Sequence, residues 1–303
     1  MSTIQLTHQS PAGLFAVRVG SRGAQLISLT LEGVEFIQPV AQGYPVPWSA
    51  GIAMAPWVNR IEDGEWSQGG KTYSVPLSEP KFHNAIHGFV SDAEFELIES
   101  GDNFALLQIG IPATTGYPFL VRYQVEYRVT NDGLVVTHRA LNLGKVAAPF
   151  ATGAHPYFVV GKEDLAAATI VVPAATIVET DDRLLPTQTV STEGHQFDLR
   201  VGRNVGQLRM DNTLGGLQRG TDGLFRAQLR GQAVAVEVWQ GAEFNHCHIF
   251  VTDQFSGPFG KTLAIAIEPT TGPANNFNSG TDLLWLSPEV EWSGSWGIGL
   301  LNL

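Results

Sequence analysis

The chain has 303 residues, a formal net charge of -11 and a pI near 5.1, and only 16% of its residues are charged. Such a chain lacks the basic stripe that neutralises phosphates, which argues against nucleic-acid binding. It also lacks an apolar run near the roughly 20 residues of a membrane-spanning helix. Its one cysteine excludes an internal disulfide. The N-terminus resembles no signal peptide, so a cytoplasmic protein without nucleic-acid or membrane partners is expected.

Short runs in which apolar and polar residues alternate occur throughout the sequence. In residues 121–130 apolar and polar side chains alternate with a period of two, as in a strand with one buried face. The chain then turns at Asn131, Asp132 and Gly133, because Asn, Asp and Gly adopt the positive φ of tight turns at low cost. Residues 134–142 form the returning strand of a hairpin. Shorter runs of the same kind cover residues 15–19, 24–31, 71–75, 104–111, 169–172, 233–239 and 248–251.

These runs predict the fold class. No long stretch has a convincing 3.6-residue period, and 33 glycines and 17 prolines suit many tight turns. The pattern therefore predicts an all-β protein with a large antiparallel β-sandwich. Because no repeat or low-complexity linker divides the chain, residues 1–303 are expected to form a single domain. Residues 181–231, rich in Gly, Thr and Arg, are predicted to form long loops.

Two segments in the first third of the chain offer polar side chains. Asn59 and Arg60 precede a turn, where Arg60 either pairs with Glu62 at the surface or donates to substrate oxygens. His83 and His87 lie in an apolar loop. Each histidine alone is more often a hydrogen-bonded core residue, although imidazole is also the commonest metal ligand.

Three later residues also offer polar side chains for a functional site. His155 is followed by a proline and two aromatic residues, which suggests a semi-buried imidazole. Asp211 alone is more simply a turn or N-cap residue. Glu268 shares one strand face with Ala264 and Ala266, and a carboxylate on a face of small residues marks either a ligand cavity or an exposed edge.

A zinc site is the alternative use of the histidines. His246 and His248 alternate on a possible strand and would chelate zinc if His83 or His87 approached them. His-x-His is commonly structural, however, and the His83–His87 spacing places both rings together only on a helix. We therefore expect no metal.

Taken in order, Asn59-Arg60-Ile61, His87-Gly88, His155-Pro156-Tyr157-Phe158, Asp211-Asn212 and Glu268-Pro269 resemble landmarks of the aldose 1-epimerase (galactose mutarotase) family. The resemblance covers nearly the whole chain from about Trp48. It implies a β-supersandwich and no metal or organic cofactor. It also implies roles: His155 as general acid, Glu268 as general base, and Asn59, Arg60, His87, Asp211 and His248 as substrate-binding residues. The family's glutamine on a late strand has no clear match in this chain, and His248 is the candidate to replace it.

The expected function is interconversion of the α and β anomers of a free hexose by a monomer or homodimer. A hexose-6-phosphate mutarotase, with its phosphate held by arginines from residues 200–230, and a non-catalytic sugar-binding protein remain alternatives. Trp57 or Phe89 would form an apolar platform for the sugar, unless these residues belong to the ordinary core. The pKa of Glu268 is expected to rise through burial, and that of His155 through the nearby carboxylate.

Overall fold

The computed structural model describes residues 2–41, 43 and 46–303. Its strands, in chain order, are β1 (Thr3–Ser10), β2 (Gly13–Gly20), β3 (Gln25–Leu31), β4 (Val34–Glu35), β5 (Ala53–Met54), β6 (Arg60–Glu62), β7 (Glu65–Gln68), β8 (Lys71–Ser74), β9 (Asn84–Ile86), β10 (Glu96–Ser100), β11 (Phe104–Ile111), β12 (Val121–Thr130), β13 (Gly133–Asn142), β14 (Ala148–Phe150), β15 (Gly153–Ala154), β16 (Tyr157–Phe158), β17 (Thr169–Val171), β18 (Ala174–Thr180), β19 (Pro186–Ser191), β20 (Arg203–Asn204), β21 (Met210–Leu217), β22 (Phe225–Arg230), β23 (Val234–Gln240), β24 (His246–Gly257), β25 (Gly260–Thr270), β26 (Leu284–Leu286) and β27 (Glu291–Asn302). Helical structure in the described residues is limited to short 3-10 segments at Pro47–Ser49, Leu165–Ala167 and Val205–Gln207 and to α1 (Asn276–Ser279).

Two large sheets organise the molecule. The first has the strand order β10-β11-β12-β13-β27-β23-β22-β17-β20, and the second the order β19-β18-β21-β24-β25-β15-β5, with β16 also paired to β25. The strand pairings within both sheets are antiparallel. Smaller sheets are formed by β1 to β4, β6 with β9, β7 with β8 and β14 with β26. The predicted all-β antiparallel architecture is confirmed.

The predicted hairpin at residues 121–142 shows how the main core forms. β12 pairs with β13 along its whole length, from Val121 with Asn142 to Thr130 with Gly133. Every second side chain of β12 is buried in the core, and those between them are half-buried. Each fully buried Val in such a strand contributes about 1.5–3 kcal/mol through burial of apolar surface.

The same alternation in the second sheet separates the core from a polar face. On β24 and β25, Ile249 and Ile267 lie in the main core. Successive side chains of a strand point to opposite faces, so His248 and Glu268 lie on the other face. Next to them on that face are Ala266, which belongs to a second, smaller apolar cluster, and Phe250, which packs against that cluster.

The prediction that residues 181–231 form long loops is wrong for much of this region. It contains β19 to β22, and β21 lies in the second sheet between β18 and β24. Met210 and Leu214 of β21 are buried, so pairing and burial override the weak local preference of a glycine-rich segment for a strand. Asp211, interpreted alone as a turn or N-cap residue, also lies on β21.

None of the helices in the described residues is long and apolar enough to cross a membrane.

Candidate active site

A pocket of about 380 Å³ lies on the polar face of the second sheet. All the side chains predicted from the sequence to form the site line it: Asn59, Arg60, His87, His155, Asp211, His248 and Glu268. They come from strands or loops as far apart in the sequence as Asn59 and Glu268, so only the folded chain brings them together. Arg60, His87, His155, His248 and Glu268 are each less than a tenth exposed.

Neighbouring strands form the floor of the pocket. His248 of β24 lies directly opposite Glu268 of β25 and, on its other side, directly opposite Thr213 of β21. Asp211 precedes Thr213 by two residues and therefore shares its face. His248 is bonded at both ring nitrogens, at 2.9 Å from Nδ1 to the Thr213 hydroxyl and at 2.8 Å from Nε2 to Asp211 Oδ1.

His155 lies at the bend between β15 and β16. Both short strands pair with β25, through Gly153 opposite Thr270 and Tyr157 opposite Ala266. Glu268 lies between these partners, and the bend places His155 Nε2 3.4 Å from Glu268 Oε1. Gly153 is required at this close approach, since a Cβ there would lie 2.6 Å from the carbonyl oxygen of Pro269.

Arg60 and His87 are held together by the small β6–β9 sheet. Arg60 lies opposite Ile86, and the backbone N–H of His87 donates to the Asn59 carbonyl at 2.9 Å. The Arg60 guanidinium binds Glu79 in a bidentate arrangement at 2.7 and 2.9 Å. A second carboxylate, Asp211 Oδ2, is 3.8 Å from Arg60 Nη2. The predicted surface pairing of Arg60 with Glu62 is therefore not formed.

Several pocket residues have a strained backbone. Trp48, Asn59, His87 and Leu184 all line the pocket and have φ values between 49° and 62°. Residues other than glycine adopt this left-handed region at a cost, and such strain clusters at binding and catalytic sites. The surrounding structure thus holds these side chains in positions that their local sequence does not favour.

Burial determines the protonation states of His155 and Glu268. It raises the pKa of Glu268 to about 8, although the charge of His248 acts in the opposite direction. Burial, with the charge of His248, lowers the pKa of His155 to about 3. The expected rise for Glu268 is in the right direction, but the expected rise for His155 is wrong, because desolvation of the imidazolium outweighs the charge of the Asp211 carboxylate.

The pKa values of the other ionisable groups on the pocket floor depend on burial and on the charged groups near them. Burial lowers the pKa of His87 well below its ordinary value. Burial also opposes the charged form of His248, but Glu268 and Asp211 outweigh it, and the pKa of His248 is raised. Burial of Asp211 is likewise outweighed, mainly by its hydrogen bond to His248, so its pKa is lowered.

His83 and His246, the other histidines of the zinc alternative, each contact a carboxylate. His83 is exposed and contacts Asp63 at 2.9 Å, while His246 Nε2 binds Asp282 Oδ2 at 2.7 Å. Cys247 faces the main core. In the part of the chain that the structure describes, no group of three or more His, Cys, Asp or Glu side chains is arranged to hold a metal ion.

Trp57, Phe89 and the arginines of residues 200–230 are not among the described residues that line the pocket. Trp57 and Phe89 pack edge to face at 4.7 Å, Trp57 in the main core and Phe89 against it, so the structure agrees with the core alternative and not with the platform. The aromatic side chains that do line the pocket are Trp48, Phe82, Tyr157 and Phe250. Several of the arginines pair elsewhere, as Arg209 does with Asp253 and Arg226 with Asp222.

Sequence reasoning missed Glu79, Thr213 and Leu184. Glu79 reaches Arg60 across 19 residues of chain, and no local motif marks that contact. Thr213 could have been found, because it follows Asp211 by two residues and therefore shares its face once a strand is assigned. Leu184 follows Arg183 in a turn for which the sequence indicates no partner.

Comparison with known proteins identifies the family and the fold. A family model described as aldose 1-epimerase matches residues 4–298. The Escherichia coli (strain K12) protein YihR, described as uncharacterized, is 26% identical over 276 residues, which cover 91% of this chain and 87% of YihR. The galactose mutarotase of Mus musculus is 27% identical over 158 residues, 49% of this chain and 44% of that one. A solved structure of a GalM/aldose epimerase homologue from C. elegans superposes with a TM-score of 0.86 at 17% identity and covers 100% of both chains.

Proposed function

The chain belongs to the aldose 1-epimerase family, and from that premise we propose that it is a mutarotase that interconverts the α and β anomers of a free hexose. The observation that carries this proposal is the approach of His155 Nε2 to within 3.4 Å of Glu268 Oε1 at the floor of the pocket. Glu268 Oε1 and His155 Nδ1 are buried and have no hydrogen-bond partner among the residues that the structure describes. Buried polar atoms left unpaired in this way favour a polar ligand.

The pair carries one proton over a broad pH range. With the pKa of His155 near 3 and that of Glu268 near 8, the resting proton lies on Glu268 at neutral pH. Transfer of that proton to His155 produces the form that ring opening requires, an ionised carboxylate beside a protonated imidazole. The two groups titrate as a coupled pair. Catalysis requires that the pair hold exactly one of its two possible protons.

Ring opening then proceeds without net loss of a proton from the pair. Glu268 takes the proton of the C1 hydroxyl, and the C1–ring-oxygen bond breaks with its electrons passing to the ring oxygen. That oxygen takes the proton from His155, and the C1 carbonyl forms. Rotation about C1–C2 presents the opposite face of the carbonyl. Closure reverses both transfers and yields the other anomer with the pair restored.

The rest of the pocket orients the sugar. The Arg60 guanidinium is fixed by Glu79 and lies beside Asp211, so these groups provide donors and acceptors for sugar hydroxyls or the ring oxygen. The buried His87 ring lies edge-on to His155, with centroids 5.2 Å apart. It is neutral at physiological pH because burial lowers its pKa. It therefore acts as a hydrogen-bonding group without a charge.

A polarimetric assay of anomer interconversion tests the proposal. Wild-type protein should equilibrate α-glucose or α-galactose, and Glu268→Gln should lower kcat by about 10²–10⁴-fold, the range for loss of one positioned acid or base. Glutamine preserves the shape of the side chain but cannot take the C1 proton. His155→Asn should produce a similar loss.

The matched control is His83→Asn, which removes an exposed imidazole that contacts Asp63 and does not line the pocket. This variant should retain wild-type activity. A folded wild-type protein that binds hexoses but does not accelerate their interconversion would indicate the non-catalytic alternative. A folded Glu268→Gln variant that retains more than a few per cent of kcat would exclude the assigned base.

A further inference from the structure

His248 is hydrogen-bonded to two residues of strand β21 and lies opposite Glu268, the base of the proposed reaction. Both of its ring nitrogens are bonded to protein groups, Nδ1 to the Thr213 hydroxyl and Nε2 to Asp211. Neither ring nitrogen is therefore free to form a hydrogen bond with a sugar hydroxyl. The cross-strand neighbour of His248 in β25 is Glu268, and side chains directly opposite in an antiparallel pair have Cβ atoms about 4.5–5.5 Å apart.

The hydrogen bonds to Thr213 and Asp211 allow His248 to gain or lose a proton while both ring nitrogens stay bonded. Asp211 accepts from Nε2–H in both states, because an ionised carboxylate is acceptor-only. The titrating proton is therefore the one on Nδ1. A hydroxyl both donates and accepts, so Thr213 donates to the bare Nδ1 of the neutral ring and accepts from the N–H of the charged ring.

We propose that His248 is a positioning residue that acts through Glu268: it becomes an imidazolium, supported by Asp211 and Thr213, and thereby favours the ionised, proton-accepting form of the base. This role deepens the proposed mutarotase function and rests on it. It also explains why a buried histidine at the floor of the pocket has both ring nitrogens bonded to protein groups.

The charges around His248 alternate in sign along the pocket floor. Arg60 lies between the carboxylates of Glu79 and Asp211, and His248 lies between Asp211 and Glu268. Glu268 and Asp211 favour the charged ring, whereas Arg60 opposes it.

Two further histidines respond to the charge of His248, since it lowers the pKa of both His87 and His155. The coupling to Glu268 is reciprocal: the charge of His248 lowers the pKa of Glu268, and ionised Glu268 raises the pKa of His248. Loss of the positive charge should therefore raise the pKa of both members of the His155–Glu268 pair.

The pH dependence of kcat/KM tests this role. The wild-type profile should be bell-shaped, since the pair must hold one proton. His248→Gln retains an amide that donates to Asp211 but cannot carry a charge. Both limbs of its profile should move to higher pH by about one unit, the lower end of the effect of a neighbouring charge. A merely structural role would lower activity at every pH and leave the limbs in place.

Thr213 supplies a matched pair of variants. Thr213→Val leaves the Nδ1–H of the charged ring without an acceptor, so its limbs should also move upward. Thr213→Ser retains the hydroxyl, and its limbs should coincide with those of the wild type. Limbs that stay in place in both His248→Gln and Thr213→Val would overturn the proposal.

An NMR titration of the imidazole nitrogens separates this proposal from the mutarotase function itself, because it requires no turnover. The pKa of His248 should lie above its ordinary value in the wild type and fall in Thr213→Val and in Glu268→Gln. A His248 ring that stays neutral down to pH 5 would overturn the positioning role even if the protein interconverts anomers. Absence of interconversion together with a raised pKa would overturn the mutarotase function, and with it any catalytic role of His248, while leaving the electrostatic coupling of His248 to Glu268 in place.

Discussion

At the scale of single residues, the central feature is a carboxylate that is kept out of water. Glu268 is 1% exposed, and its Oε1 has no hydrogen-bond partner within the described part of the chain. Its negative charge is therefore costly in the folded state, which is why its pKa rises to about 8. A site that holds a strained or desolvated group for function commonly reduces the stability of the fold.

This cost predicts that Glu268→Gln stabilises the protein more at high pH than at low pH. The folded pKa of about 8 lies above the ordinary value of 4.5, so the folded state binds more protons than the unfolded state between these values. Stability from this group is then fully present below pH 4.5 and is lost as the pH rises through 8. The neutral glutamine avoids that loss, and its Tm should exceed that of the wild type by a few degrees at pH 8.

Thermal unfolding at pH 5 and pH 8 measures the difference. The control is Glu99→Gln, which changes an exposed carboxylate on β10 and should leave Tm unchanged at both pH values. A stabilisation by Glu268→Gln that is equal at pH 5 and pH 8 would contradict the assigned cost of the charge.

At the scale of structural elements, the turn between β18 and β19 closes one side of the pocket. Leu184 lines the pocket from this turn with a φ of 60°. The adjacent Arg183 donates to the carbonyl oxygens of Phe82 and His83, each at 3.0 Å, and binds Asp63 at 2.7 Å. One side chain thus ties the turn to the loop that carries Phe82 into the pocket.

We therefore predict that Arg183→Ala raises KM severalfold and changes kcat less. Exposed ion pairs contribute little on their own, but Arg183 also fixes backbone carbonyls of a loop that lines the pocket. Steady-state kinetics by polarimetry measure the effect. The control is Arg226→Ala, which removes an arginine paired with Asp222 away from the pocket. Unchanged KM in Arg183→Ala would show that the turn does not depend on this tie.

At the scale of the whole molecule, the charge distribution disfavours an anionic sugar. The net charge is -11, and the pocket contains the carboxyl groups of Glu79, Asp211 and Glu268. Arg60 is already paired with Glu79. Lys81 is the cation that remains at the pocket without an ion pair among the described residues, and it lies 4.7 Å from the Phe82 ring centre.

The prediction is that kcat/KM for glucose or galactose exceeds that for glucose 6-phosphate, with a difference that shrinks as salt is added. Long-range repulsion slows the approach of the dianion, and salt screens that repulsion. The measurement compares the sugars at low and moderate ionic strength. A tenfold or greater preference for the phosphorylated sugar that salt erodes would instead support the hexose-6-phosphate alternative.

The local pattern of the sequence by itself determined the class of the fold and the residues to consider. Alternation in residues 121–130 requires one buried face, and tight-turn residues require reversal, so antiparallel strands follow from local chemistry. The order of short motifs was enough to identify the family and to name residues that the fold brings into one pocket. The single domain and the oligomeric state remain predictions.

Only the tertiary structure decided which groups touch and how they are charged. The strand at Asp211, the Glu79 partner of Arg60 and the Thr213 partner of His248 all depend on pairing between distant segments. The pKa of His155 was misjudged for the same reason. Two opposing effects, burial and a nearby carboxylate, act on that ring, and their balance depends on how completely the folded chain excludes water from it.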